Sequence, residues 1–347
     1  MSSFTWVHYN KVLRDIFWYC SEPYRANNVI FQPSVLQIPY SDTEGWPMKL
    51  PEIPSTVIDD EFIVVLHFQD SLTYIDGVCV ELNKIETHYP AKVHHNIVVV
   101  TEDIGLKNFY TGNLHIVWFP TFVYEMMYQM QHNKDQWDDY ILAEPTKNWM
   151  CLNGIPKAWR KEVAYFLKDN HTNGILSLGD EIRLEKHAYK ESYLGNDNPE
   201  NFVLLDWVFK DAALNIVTET LYDAPVGILT EKTLFAFLAG QIPIVIAHQG
   251  FVTELKEMGF DMFEDVVNTS YDRYPDETRW KTALIKNNDL IQNGVKRSDY
   301  IERLEYNKQQ ALEVFPLYCI NNYLDSMHSF GLSRETIQGW SETFSRD

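Results

Sequence analysis

The chain has 347 residues, of which 45% are hydrophobic and 14% aromatic, and its 29 basic and 49 acidic side chains give a formal charge of −20. That length allows about two domains, and that apolar content excludes a disordered chain. The acidic balance argues against a general polyanion coat, which needs surplus Lys and Arg, but leaves room for a local basic groove.

The N-terminal stretch MSSFTWVHYNKVLRDIFWYC lacks the apolar core of a signal peptide. No run approaches the ~18 apolar residues of a membrane span. Cys20, Cys79, Cys151 and Cys319 lie far apart without a CxxC pair and read as reduced thiols. A cytoplasmic protein without a membrane partner is the expectation.

Residues 30–60 hold several prolines and read as an irregular excursion. The runs FIVVLHF (62–68), NIVVV (96–100) and LHIVWFP (114–120) are short, nearly continuous and rich in β-branched residues. They predict buried, parallel strands. A helix follows over 121–132, and the polar 133–148 stretch is the expected domain junction. Then come a strand at 149–153, a helix at 156–170 opened by Pro156, and a strand at 174–179. Further strands are predicted at 213–219 and 242–247, with a helix at 230–239 between them that Gly240 stops. A helix at 252–258 closes on Gly259, and 276–330 is mostly helical.

Alternating strands and helices of this kind predict two Rossmann-like α/β domains with an intervening cleft. The expected division is 1–145, 146–330 and a 331–347 tail packing back on the first domain. Ligands of such sheets bind beyond the strand carboxyl ends. In the second domain those ends are Asn153, Ser177, Thr218 to Thr220 and His248.

The glycines form no GxG, so the GxGxxG fingerprint and the Walker A loop are both absent. There is no GxSxG, no HExxH and no Asp-x-Asp. The His67, His94, His95, His115 and His248 spacing matches no standard metal-ligand set. No metal and no resident cofactor are expected.

In ILTEKTLFAFLAG, Thr230 can cap a helix through its hydroxyl, and Glu231 suits the first turn. Lys232 does not, because a cation there faces the positive end of the dipole. Two readings stand: a solvated Glu–Lys pair, or an anion site built from the ammonium and the unused first-turn N–H groups.

The stretch ILTEKTLFAFLAGQIPIVI resembles the donor-binding signature of the α-1,3-fucosyltransferases, Y-x-T-E-K-L…A…AG-x-x-P-V. NIVTET (215–220) stands where that family has a strand ending in Phe-Glu-Asn, with Glu219 at the acid and Thr220 at the asparagine. CLNGIPKAWRKEVAYFL, IVTETLYD and GFDMFEDVVNTSYD also resemble, in order and spacing, segments of glycosyltransferases from phages and marine microbes. There Asn153 and Arg160 match, while Gly154 and Trp159 replace an arginine and a histidine. The similarity spans about 149–275.

The resemblance implies a glycosyltransferase of the two-domain GT-B type, binding a UDP- or GDP-sugar in its C-terminal domain. It assigns Glu231 to ribose hydroxyls, Lys232 to the diphosphate, Arg160 as second cation, and Glu219 to the sugar or reacting centre. Asn153, Ser177, Thr218, Thr220, Thr230 and His248 complete the expected donor-binding set. Lys232, Arg160 and helix N–H groups would stabilise charge developing on the leaving diphosphate. An inverting transfer needs a base for the acceptor hydroxyl, and Asp70, Glu102 and Asp103 follow N-terminal strands. A retaining transfer would need none. The acceptor is a glycan or, if the chain is phage-encoded and works in host cytoplasm, a hydroxymethylated DNA base. A non-catalytic binding module on a degenerate transferase scaffold is the alternative from another class.

Overall fold

The computed structural model describes residues 64–68, 82–83, 86–88, 91, 94, 97–120, 123–124, 126–127, 130, 140–182, 206–225 and 227–328. The 30–60 stretch, the N-terminus, Asp70, residues 133–139 of the expected junction and the 331–347 tail lie outside the described residues. The chain separates into two compact units, Met1–Glu125 with Leu317–Asp347, and Met126–Pro316.

The first unit carries a three-stranded parallel sheet of β1 (Val64–Phe68), β2 (Ile97–Thr101) and β3 (His115–Trp118), in that order. Val99 pairs with Leu66 on one side and Ile116 on the other. Val99, Val100 and Val117 are buried, as β-branched residues of a covered parallel strand should be. Past β3, Phe119 meets the rings of Tyr124 and Tyr323 at 5.3 and 5.4 Å.

The second unit contains β4 (Lys147–Asn153), β5 (Gly174–Leu178), β6 (Ala212–Thr218) and β7 (Ile242–Ile246), all parallel. Helix α1 (Ala158–Asn170) joins β4 to β5, α2 (Asp206–Asp211) precedes β6, and α3 (Glu231–Leu238) joins β6 to β7. After β7 come α4 (Phe251–Glu257), α5 (Asp276–Lys286), α6 (Asn288–Asn293) and α7 (Ile301–Gln309); α8 (Phe315–His328) follows, and from Leu317 it belongs to the first unit. The architecture is α/β and Rossmann-like.

Every residue of β6 and β7 is buried, which is why both read as unbroken apolar runs rather than alternating ones. Asn215 and the terminal Thr218 are the polar residues of β6, and Asn215 donates to Gln241 Oε1 at 2.8 Å. Gln241 in turn donates to the Phe209 and Ala212 carbonyls at 3.1 Å each. Pro243 is tolerated because β7 is the outermost strand of the described sheet. Gly240 turns the chain with φ 59°, and a Cβ there would lie 2.3 Å from Ile141. Hence only glycine fits at position 240.

Two local details differ from the sequence reading. Helix α1 starts at Ala158, so Pro156 lies before the helix and Lys157 is its N-cap. Between α7 and α8 the helix widens into a π turn over Gln310–Val314, where the Phe315 N–H bonds the Gln310 carbonyl. Pro316 follows at once and supplies no N–H, which favours such a local widening.

The strand order is β5-β4-β6-β7. The chain therefore leaves β4 for one flank, reaches β5, and returns to β6 on the opposite flank. The connections after β4 and β6 depart in opposite directions. That reversal is where open α/β sheets bind ligands, outside the strand carboxyl ends.

Candidate functional site

The site is built around the first turn of α3. Thr230 is extended, with φ −118°, and its hydroxyl accepts from the Lys232 N–H at 3.3 Å, as an N-cap should. The Lys232 ammonium also reaches this oxygen at 3.4 Å and sits 2.6 Å from Glu231 Oε1. Thr230 donates its own proton to Glu219 Oε2 at 2.5 Å. A hydroxyl has one donor and two acceptor positions, and all three are used here.

Glu219 follows β6 directly. Its carboxylate is 1% exposed and accepts from Thr233 on Oε1 at 2.5 Å, besides Thr230 and the Thr220 N–H on Oε2. A capping box ordinarily places Glu or Gln at the third helical position. Here that position is Thr233, and the acid comes from the sheet instead. The residue expected at the reacting centre thus faces the helix it fastens. Its own N–H donates to the Ile246 carbonyl at 3.0 Å, tying the end of β6 to β7.

Lys232 keeps a 26% exposed side chain. Burial alone would lower its pKa. The carboxylates of Glu231 and Glu219 outweigh burial, with Arg160 opposing them, and hold the ammonium above the usual lysine value. The cation is therefore permanently charged near neutral pH, at a helix end that itself favours anions.

Arg160 is 2% exposed and donates to the carbonyls of Ile155, Thr218 and Glu219 at 3.3, 3.0 and 2.8 Å. Lys157 reaches the Thr220 carbonyl at 2.9 Å. Thr218 donates to Asn153 Oδ1 at 2.5 Å, and Ser177 Oγ accepts from the Asn153 N–H at 3.2 Å. Asn153, Ser177, Thr218, Thr220 and Arg160 are thus brought together at the β4/β6 reversal. They bind one another and the frame, and the expected phosphate partner Arg160 is directed at backbone oxygens. Beside them, Gly154 has open space where a Cβ would stand, and Ile155 is 63% exposed.

Trp159 stacks on Tyr222 at 4.6 Å and 18°. Arg279 lies 4.6 Å from the same ring and donates to the carbonyls of Ala247, Tyr274 and Tyr222. The loops after β6 and β7 are pinned by this guanidinium. His248 is 2% exposed and contacts Glu254 through Nε2 at 3.0 Å. A Cβ on Gly227 would sit 1.9 Å from its ring, so His248 braces the loop leading to α3. Asp272 caps α4, accepting from the Val252 and Thr253 N–H groups at 3.1 and 3.2 Å. Burial raises its pKa despite those bonds.

Sequence reasoning missed Lys157, Tyr222, Thr233, Asp272 and Arg279. The available signal was a single one: Thr233 stands three residues after a threonine cap, at the box position. The expected bases Glu102 and Asp103 are buried after β2 in the first unit. Thr101 Oγ1 accepts from the Asp103 N–H at 3.1 Å and donates to its carboxylate at 3.3 Å, and the Glu102 carbonyl accepts from Trp118.

Among the described residues, no group of three or more His, Cys, Asp and Glu side chains could hold a metal ion, and no helix is long and apolar enough to cross a membrane. Comparisons with protein-family models, with curated proteins and with solved structures find no match.

Proposed function

We propose that the protein is a glycosyltransferase of GT-B type that holds a nucleotide-sugar donor at the carboxyl edge of the four-stranded sheet and transfers its sugar to a hydroxyl acceptor. One observation carries the reading. Lys232 is a part-exposed, fully charged ammonium in the first turn of α3, beside the reversal where α/β sheets take ligands. The ammonium and the positive end of the α3 dipole suit a diphosphate. Because they are fixed before reaction, they suit charge that grows on a departing diphosphate. Glu231 lies next to it for ribose hydroxyls. Glu102, Asp103 and Asp70 are the proposed sources of an acceptor base.

The test is thermal stabilisation by UDP-, GDP- and CMP-sugars, followed by donor hydrolysis and transfer. A donor at 100 times its Kd should add about 2.7 kcal/mol of stability. If none of the three stabilises the protein, the donor site is wrong.

A second reading is favoured by a specific observation: Arg160 and Glu219 direct their polar atoms into the protein. A nucleotide-sugar or glycan-binding module without turnover would tolerate that. Strong donor stabilisation without hydrolysis or transfer to any glycan or hydroxymethylated DNA would favour this module.

A further inference from the structure

Two carboxylates surround Lys232, and they differ in freedom. Glu219 is 1% exposed, with both oxygens held by threonines 230 and 233 and by a backbone N–H. It cannot turn away without breaking the start of α3. The Glu231 side chain is 12% exposed, and among the described residues its hydrogen bond is with the Lys232 ammonium, at 2.6 Å. It is the first residue of the helix, a position that favours an acid in its own right. Rotation of one side chain would release the ammonium.

We propose that Glu231 is an internal counter-ion that competes with incoming phosphate for Lys232, so that the site rejects bare anions and admits a diphosphate carrying neighbouring hydroxyls. The inference rests on the sugar-nucleotide reading of the same site. An arriving anion meets an ammonium already paired, with Glu219 adding a second, immovable negative charge. To bind, it must expel Glu231, and the expelled carboxylate keeps its charge and needs hydrogen-bond donors. Inorganic pyrophosphate brings almost none. A vicinal diol beside the phosphates brings two O–H donors, which match the two carboxylate oxygens. The pair therefore taxes every anion equally and returns the cost only to a ligand with the diol. Discrimination by a repulsive element of this kind is a common route to specificity.

The experiment measures binding of inorganic pyrophosphate, and separately of the nucleotide sugars, to the full chain and its Glu231→Gln, Lys232→Met and double variants. Glu231→Gln should bind pyrophosphate more tightly by up to about fivefold, the upper end set by an ion pair of about 1 kcal/mol, and nucleotide sugar more weakly. In the Lys232→Met background, Glu231→Gln should give no such gain. Unchanged or weaker pyrophosphate binding by Glu231→Gln overturns the proposal. So does an equal gain in the Lys232→Met background, which would mark a diffuse charge effect. If the pyrophosphate gain holds while no nucleotide sugar binds the native chain, the counter-ion stands and the sugar-nucleotide reading fails.

Discussion

Replacing Glu219 with alanine separates a positioning acid from a catalytic one. The carboxylate accepts two hydroxyl bonds at 2.5 Å and one backbone N–H at 3.2 Å while 1% exposed. Hydrogen bonds to a buried charge contribute about 1.5–3 kcal/mol each. Taking the two hydroxyl bonds at the lower value gives about 3 kcal/mol, and recovered desolvation of the carboxylate offsets the weaker third bond. For a unit of this size, 1 kcal/mol moves Tm by about 2–4 °C, so the expected fall is about 6–12 °C. Thermal unfolding followed by circular dichroism measures it. Thr230→Ala alone should cost about 2.5 kcal/mol, about 1 for the lost cap and about 1.5 for the lost bond to Glu219. Combined with Glu219→Ala it should cost less than the sum, because the two share a bond. An acid facing an open reacting centre behaves differently, since its removal leaves stability unchanged or improved. A Tm for Glu219→Ala within about 2 °C of the native value, or above it, would refute the positioning argument.

Two further outcomes concern the frame that carries the site. Arg297 is 2% exposed and donates to the carbonyls of Tyr140, Ala143, Phe209, Lys210 and Ala212, and desolvation lowers its pKa to about 10. Arg297→Met keeps the volume but takes the guanidinium from the Ala143 and Lys210 carbonyls, while Gln241 still donates to those of Phe209 and Ala212 and the Ala143 N–H to that of Tyr140, so chemical denaturation should show a loss of about 2–4 kcal/mol; a neutral result would mean the remaining carbonyls find other donors. His171 is 3% exposed, and burial lowers its pKa despite its contact with Gln292. The unfolded chain then binds the proton more readily, so stability is full above the ordinary histidine pKa of 6.5 and falls as pH drops through it. Tm measured from pH 7.5 to 5 should decline, and His171→Gln should flatten the decline.

The strands, their parallel pairing and the helix bounded by Thr230 and Gly240 were legible because burial on both faces leaves continuous apolar runs and turn chemistry marks the ends. The polar residues at the strand ends were legible as a group for the same reason: Asn153, Ser177, Thr218 and Glu219 stand where apolar runs stop. Their directions were not legible. Spacing places Arg160 at the sheet edge, but only the path of β6 shows that the Thr218 and Glu219 carbonyls face its guanidinium. Likewise the acid that completes the α3 cap comes from a strand, so no pattern local to the helix reveals it. Arg279 and Arg297 lie in charged helical sequence that reads as solvent-exposed; their burial follows from distant carbonyls that tertiary structure brings to them. Trp159, a departure from the resembled motif, has a place of its own against Tyr222.

The central claim is that Lys232 meets the diphosphate of a nucleotide sugar. Titration calorimetry of the most stabilising donor, with the native chain and Lys232→Met compared at one pH and ionic strength, tests it most directly. The account predicts at least a tenfold loss of affinity, about 1.4 kcal/mol, with Tm in the absence of ligand within about 3 °C of native. Equal affinity for the donor in the two proteins would contradict it.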